Sequence, residues 1–188
     1  WNWSWKSFTW IYTTVLLAIW KEWAKYKLPY IWERKLIWIV TKSSSNVTWV
    51  IEPYLLWDGS PTRIPEDLIE KVSRDNWVVK KIILTTWTII EIRTYDQWRE
   101  RLQGWNPDFI LVDEEPTDKW VWEELMVRTR KANAQILLTM TPLSWLTPVY
   151  EFFYEWVTEP WTIDRRKIFV VSSLDNTHAD HSWLMYLS

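Results

Sequence analysis

Apolar residues recur along this chain with two distinct periods. Phe8, Ile11, Tyr12, Val15, Leu16, Ile19 and Trp23 return every three or four positions, the spacing of one buried helix face, and predict an amphipathic helix reaching about Lys25. Leu36-Ile37-Trp38-Ile39-Val40 is a short continuous apolar run and predicts a buried strand. Ser43-Ser44-Ser45 then supplies caps for a helix through Val47, Ile51 and Leu55, which Asp58-Gly59-Ser60-Pro61 ends. Ile64-Pro65-Glu66-Asp67 is expected to open a shorter polar helix. Residues 80–84 and 88–92 form two strand-like runs around Thr85-Thr86-Trp87-Thr88 and predict a hairpin. Beyond residue 116, Asp118 caps a helix through Val121, Leu125 and Met126, and Ile136-Leu137-Leu138-Thr139-Met140 and Lys167-Ile168-Phe169-Val170-Val171 predict two more strands. Strands alternating with helices predict an α/β fold with a mainly parallel sheet flanked by helices.

The segment that organises the rest is Asp108-Phe109-Ile110-Leu111-Val112-Asp113-Glu114-Glu115-Pro116. Four apolar residues run into three carboxylates, as in a strand buried on both faces whose carboxyl end opens into a site. Asp113 is held by the strand, whereas Glu114 and Glu115 step onto the loop. An apolar strand ending in Asp-Glu is the Walker B pattern of nucleoside triphosphatases, where the Asp holds Mg²⁺ and the Glu positions and activates water.

The other half of such a site lies at the start of the chain. Trp1-Asn2-Trp3-Ser4-Trp5-Lys6-Ser7 fits the end of a phosphate-binding loop, G-x-x-x-x-G-K-[ST], with Lys6 and Ser7 in place and Trp5 where the last glycine belongs. The helix that follows offers its amino-terminal amides and dipole to an anion, Lys6 adds a point charge, and Ser7 supplies a magnesium ligand. Asn2, Trp3, Ser4, Trp5, Lys6 and Ser7 are therefore the nucleotide-binding candidates, and Ser7 with Asp113 the metal-binding pair. Thr139 and Thr141, at the end of the next apolar strand, are placed to sense a terminal phosphate through hydroxyl hydrogen bonds that vanish on hydrolysis.

Composition changes this picture in one respect. The 188 residues hold 20 Trp and 2 Gly, whereas an average chain carries about 7% Gly. The Trp residues fall where backbone chemistry wants glycine, before Lys6-Ser7, in the turn at Trp87 and after Pro142-Leu143-Ser144. We therefore expect many of them to be glycine in the functional protein, through a UGA codon read as glycine at the source. A net charge of −2 announces no nucleic acid by itself, and the lack of cysteine excludes disulfides and thiolate metal sites. No apolar stretch reaches the ~18 residues of a membrane span. His178 and His181, around Asp180, are a weak metal candidate on a polar loop.

Taken in order, the Lys-Ser loop, long helix, strand, hairpin, Tyr95-Asp96-Gln97-Trp98-Arg99-Glu100, the residues 108–116 and Thr139-Met140-Thr141-Pro142-Leu143-Ser144 resemble the ATPase domain of the large terminase subunit of tailed bacteriophages. The resemblance runs from residue 1 to about 175. It implies a P-loop NTPase fold, incomplete at the amino terminus, with residues 1–165 as the ATPase domain. Residues 166–188 would carry the last strand and the start of a connection toward a nuclease domain that the chain lacks. It implies ATP and Mg²⁺ as cofactors, Asp113 as the Walker B carboxylate, Glu114 as the catalytic base, and Thr139 to Pro142 as the coupling segment. Arg99 and Arg101 lie where the family carries arginine, with Arg128 a further candidate for neutralising the leaving phosphate. The implied partners are double-stranded DNA, a portal protein, a small terminase subunit and further copies in a ring, with no membrane, in the host cytoplasm at the procapsid. Trp1, Trp3, Trp5, Trp98 and Trp145 depart from the family pattern. Two rival readings follow from them: a catalytically dead module whose tryptophans stack on single-stranded bases, and a mistranslated fragment without function.

Overall fold

The structure, a computed structural model, describes residues 5–19, 35–95, 106–116, 118–132 and 134–140, with 147, 149 and 152. All of these but Phe152 fall in one compact unit, Trp1–Val149. The boundary expected at residue 165, the strand 167–171 and the histidines at 178 and 181 lie outside the described residues.

Six strands make one mixed sheet: β1 (Leu36–Thr41), β2 (Ile69–Asp75), β3 (Val78–Leu84), β4 (Ile89–Thr94), β5 (Phe109–Asp113) and β6 (Gln135–Thr139), in the order β2-β3-β4-β1-β5-β6. Strands β4, β1, β5 and β6 are mutually parallel, while β2 and β3 extend the sheet antiparallel beside β4. Centrality explains composition here. β5 is buried at every residue and β1 at all but Leu36, so both are apolar up to their last residues, Asp113 and Thr41, whereas the outer β2 is polar and largely solvated.

Helices cover both faces. On one, α1 (Trp5–Ile19) lays Trp10, Ile11, Val15 and Ala18 into a core with Ile37 and Ile39 of β1 and Phe109 and Leu111 of β5. That core also takes Val47, Ile51, Tyr54 and Leu55 from the helical segment after β1. On the other, α4 (Lys119–Ala132) packs against β5 and buries Val121, Trp122 and Leu125. Its start is capped as expected, with Asp118 Oδ1 accepting from the Trp120 amide at 2.9 Å.

The segment after β1 is a composite: an α-helical turn α2 (Ser44–Asn46), a π-helical stretch Val47–Ile51, and α3 (Glu52–Leu56). Ser43 caps it, its hydroxyl accepting from the Asn46 amide. Pro53 accounts for the widened middle, because it lacks an amide hydrogen and its ring crowds the carbonyl four residues back.

One expectation is corrected. The polar helix at Ile64 to Asp67 is only a 3₁₀ turn, Glu66–Leu68, and it leads into β2, which the alternation rules missed. β2 is an outer strand with Glu70, Lys71, Arg74 and Asp75 along it, so its polarity hid it, although Arg74 reaches Glu52 at 2.7 Å and ties it to α3. The hairpin at Trp87 is present and belongs to a three-strand meander.

Candidate nucleotide site at the carboxyl ends of the parallel strands

Parallel register aligns strand tips. Thr94 of β4 stands beside Thr41 of β1, and Asp113 of β5 beside Thr139 of β6, so the four carboxyl ends form a row of three threonines and one aspartate. Asp113 is 4% exposed. Its Oδ2 accepts from Asn46 Nδ2 at 2.7 Å and from Thr41 Oγ1 at 3.4 Å, and Asn46 also donates to Thr41. A buried carboxylate is tolerable only with such donors around it. The far end of β5 is fixed as well: Asp108 Oδ2 accepts from the Leu36 amide at 2.7 Å, and the Asp108 amide donates to the Leu36 carbonyl.

Glu114 leaves the strand in the left-handed region, at φ 70°. A residue with a Cβ is strained there and stays only where its surroundings dictate it. Its amide donates to the Thr139 carbonyl at 2.9 Å, and its carbonyl accepts from the Tyr95 hydroxyl at 2.6 Å. Burial, and then the charges of Asp113, Glu114 and Glu115, push the Tyr95 phenol far above its usual range. It therefore stays protonated and keeps donating. Glu114 lines a pocket of about 330 Å³ together with Lys42, Ser43, Ser45, Asn46 and Trp49.

Three buried oxygens near these strand ends have no hydrogen-bond partner: Thr94 Oγ1, Thr139 Oγ1 and Glu115 Oε1. Buried polar atoms of this kind mark strain or a missing ligand. The donors here are all hard oxygens, which suit Mg²⁺ and not a soft metal. No group of three His, Cys, Asp or Glu that could hold a metal ion occurs among the described residues. Mg²⁺ would fit this donor set with Asp113 as its carboxylate, because it takes only one or two carboxylates in such sites.

The structure thus brings Asp113, Glu114 and Thr139 together. Trp5, Lys6 and Ser7 fall in the first turn of α1, a helix that packs against β5 and β6, the strands ending in Asp113 and Thr139; their side chains are outside the described set. Asn2, Trp3, Ser4, Arg99, Arg101 and Thr141 also lie outside it. Arg128 is engaged on α4, holding Glu124 at 2.6 Å. Sequence reasoning missed Asn46, Thr41 and Tyr95. Asn46 was hidden in a Ser-rich run that reads as a helix cap, and Tyr95 stood beside arginines that drew the chemical interest. The one available signal was Thr41, a hydroxyl at the carboxyl end of an apolar strand.

No family model and no curated protein matches this chain. Solved structures do. The chain resembles a phage terminase ATPase domain. For the Thermus phage P74-26 large terminase ATPase domain, identity is 15%, the TM-score 0.41, and the match covers 76% of this chain and 59% of that one. A mutant of the same domain gives 15% identity and a TM-score of 0.42 over the same shares. The match spans 59% of the length of those terminase chains. Among the described residues no helix is long and apolar enough to cross a membrane.

Proposed function

We propose that this chain is the ATP-hydrolysing part of a large terminase subunit, which drives double-stranded viral DNA into a procapsid. One observation carries the reading: a buried aspartate, held by Asn46 and Thr41 at the tip of a central parallel strand, is followed at once by a strained left-handed glutamate that faces a pocket. Strain of this kind gathers at active sites.

In this reading the loop Asn2, Trp3, Ser4, Trp5 and Lys6, with glycine restored at the Trp positions, would wrap the phosphates, and Ser7 with Asp113 would hold Mg²⁺, which would screen phosphate charge. Glu114 takes a proton from water as the water oxygen bonds to the γ-phosphorus. The bond from that phosphorus to the bridging oxygen breaks, and ADP leaves with its electron pair. Arg99 or Arg101 neutralises charge on the leaving group. Thr139, bonded through its carbonyl to Glu114, and Thr141 pass the change toward DNA. DNA, a portal protein, a small terminase subunit and further copies in a ring are the partners, in the host cytoplasm.

The test is Mg²⁺-dependent phosphate release from ATP, with and without duplex DNA, by the chain as written and by a variant with Trp1, Trp3 and Trp5 changed to Gly. Hydrolysis by the variant that Glu114→Gln abolishes supports the reading, and a variant that neither binds nor hydrolyses ATP defeats it. Exposed indoles at Trp49, Trp77, Trp87 and Trp120 favour a second reading, a non-catalytic module that stacks on single-stranded bases. Quenching of Trp emission by oligonucleotides without any hydrolysis would select it.

A further inference from the structure

Two hairpin turns specify a residue that the sequence does not have. β2 and β3 are joined by Asn76-Trp77 alone, between the paired residues Asp75 and Val78, and both joining residues have positive φ, 47° and 68°. A two-residue turn with both φ positive is the type I′ hairpin, whose strongest sequence is Asn-Gly. Here it is Asn-Trp. The turn between β3 and β4 repeats the substitution, with Trp87 at φ 66° fixed by its amide donating to the Leu84 carbonyl at 2.9 Å and by Leu84 donating to the Thr88 carbonyl. Gly59, at φ 82°, shows the ordinary occupant of this backbone region.

What holds these turns is hydrogen bonding to their backbone, including Arg74 Nη1 donating to the Trp77 carbonyl at 3.0 Å, and it would be the same with glycine in place. Trp77 is 90% exposed and Trp87 70% exposed. Of the seven large hydrophobic side chains exposed among the described residues, five are Trp: 49, 57, 77, 87 and 120. The two fully buried ones, Trp10 and Trp38, each leave the indole N–H without a hydrogen-bond partner, although a buried Trp normally finds one. The turn positions Trp77 and Trp87 thus hold an indole left largely in solvent, whereas the core positions Trp10 and Trp38 pack their rings, Trp38 beneath the Arg93 guanidinium, and leave only the N–H unpaired. A cause acting position by position does not produce this together with 20 Trp against 2 Gly. A cause acting on a codon does.

We propose that Trp77 and Trp87, and with them the Trp positions generally, are glycine in the protein as its source makes it, because a codon written here as Trp is decoded there as Gly. The inference does not depend on the ATPase reading, since it rests on φ angles and burial far from any catalytic claim. It has a consequence for that reading, because residues 1–7 become Gly-Asn-Gly-Ser-Gly-Lys-Ser, a phosphate loop complete from its last glycine onward.

Peptide mass spectrometry of the protein from its native source decides the matter. Trypsin cuts after Arg74 and Lys80 and after Lys81 and Arg93, so the peptides 75–80 and 82–93 carry the two positions. Each is expected lighter by one indolylmethyl group, and a Trp mass in either peptide overturns the proposal. The strain argument has its own measurement on the chain as written. Trp77→Gly and Trp87→Gly should each raise the thermal midpoint, and Trp77→Ala should raise it less, because alanine keeps the Cβ that left-handed φ disfavours. Gly variants that melt at or below the parent remove the structural basis of the inference. Glycine in the peptides with no ATP hydrolysis by the glycine-bearing protein would retire the motor reading and leave the decoding established.

Discussion

Glu114 carries backbone strain and, in the proposed function, the chemistry as well, which lets the two be separated. Its φ of 70° disfavours any side chain with a Cβ, and glycine at such a position commonly relieves about 1 kcal/mol. Glu114→Gly is therefore expected to hold or raise stability in urea unfolding while phosphate release falls to background; a parallel loss of stability would show the carboxylate to be structural. Asn46 behaves in the opposite way. Removing its amide in Asn46→Ala takes a 2.7 Å donor from a buried carboxylate, at a cost of about 1–3 kcal/mol. If Asn46 orients Asp113 for a metal, the same variant should need more Mg²⁺ for half-maximal turnover, and Asn46→Gln or Asn46→Asp should not restore the parent value. An unchanged Mg²⁺ requirement would leave Asn46 a purely structural residue.

At the level of elements, the meander β2-β3-β4 meets the parallel half of the sheet through a charged cluster. Glu91 of β4 pairs with Lys81 of β3 at 2.8 Å and with Arg93 at 2.6 Å, and the Arg93 guanidinium lies 3.8 Å above the Trp38 ring of β1. Burial alone would raise the Glu91 pKa, but hydrogen bonds from Arg93 and Lys81 outweigh it and hold the carboxyl below its ordinary value. A carboxyl depressed in the folded state binds its proton more readily when unfolded. Its contribution is therefore present above the ordinary carboxylate range and is lost as pH falls through the folded value. Glu91→Gln should cost about 1.5–3 kcal/mol at neutral pH, the worth of hydrogen bonds to a charged group. The gap between variant and parent should close in acid, and a pH-independent gap would assign the effect to packing. Elements also show what sequence could reveal. β1 and β5 were legible because central parallel strands are apolar on both faces. β2 was not, because an outer strand can be polar and still be held, here by backbone pairing to β3 and by the Arg74–Glu52 pair.

For the whole molecule, the legible part was the scaffold and the illegible part was how its strand tips are wired. The α/β architecture, the burial of 109–113 and the exit of Glu114 onto a loop all follow from local pattern. Asn46, 67 residues from Asp113 in sequence, and Tyr95, 19 from Glu114, meet them only because parallel pairing sets β1, β4 and β5 side by side. No local period encodes that meeting. The sheet predicts a hierarchy of stability, since amides of β5 and β1, buried and paired on both sides, should exchange with deuterium far more slowly than those of the solvated β2. Similar rates in all three strands would contradict this sheet order.

Trp49 lines the pocket with Glu114 yet remains 73% exposed. In the chain as written, that indole is a lamp hung at the mouth of the site. A ligand entering the pocket strips water from it, so emission from a chain in which the other exposed tryptophans are replaced should shift to the blue as the site fills, and occupancy can be followed by eye of a fluorimeter before any turnover occurs.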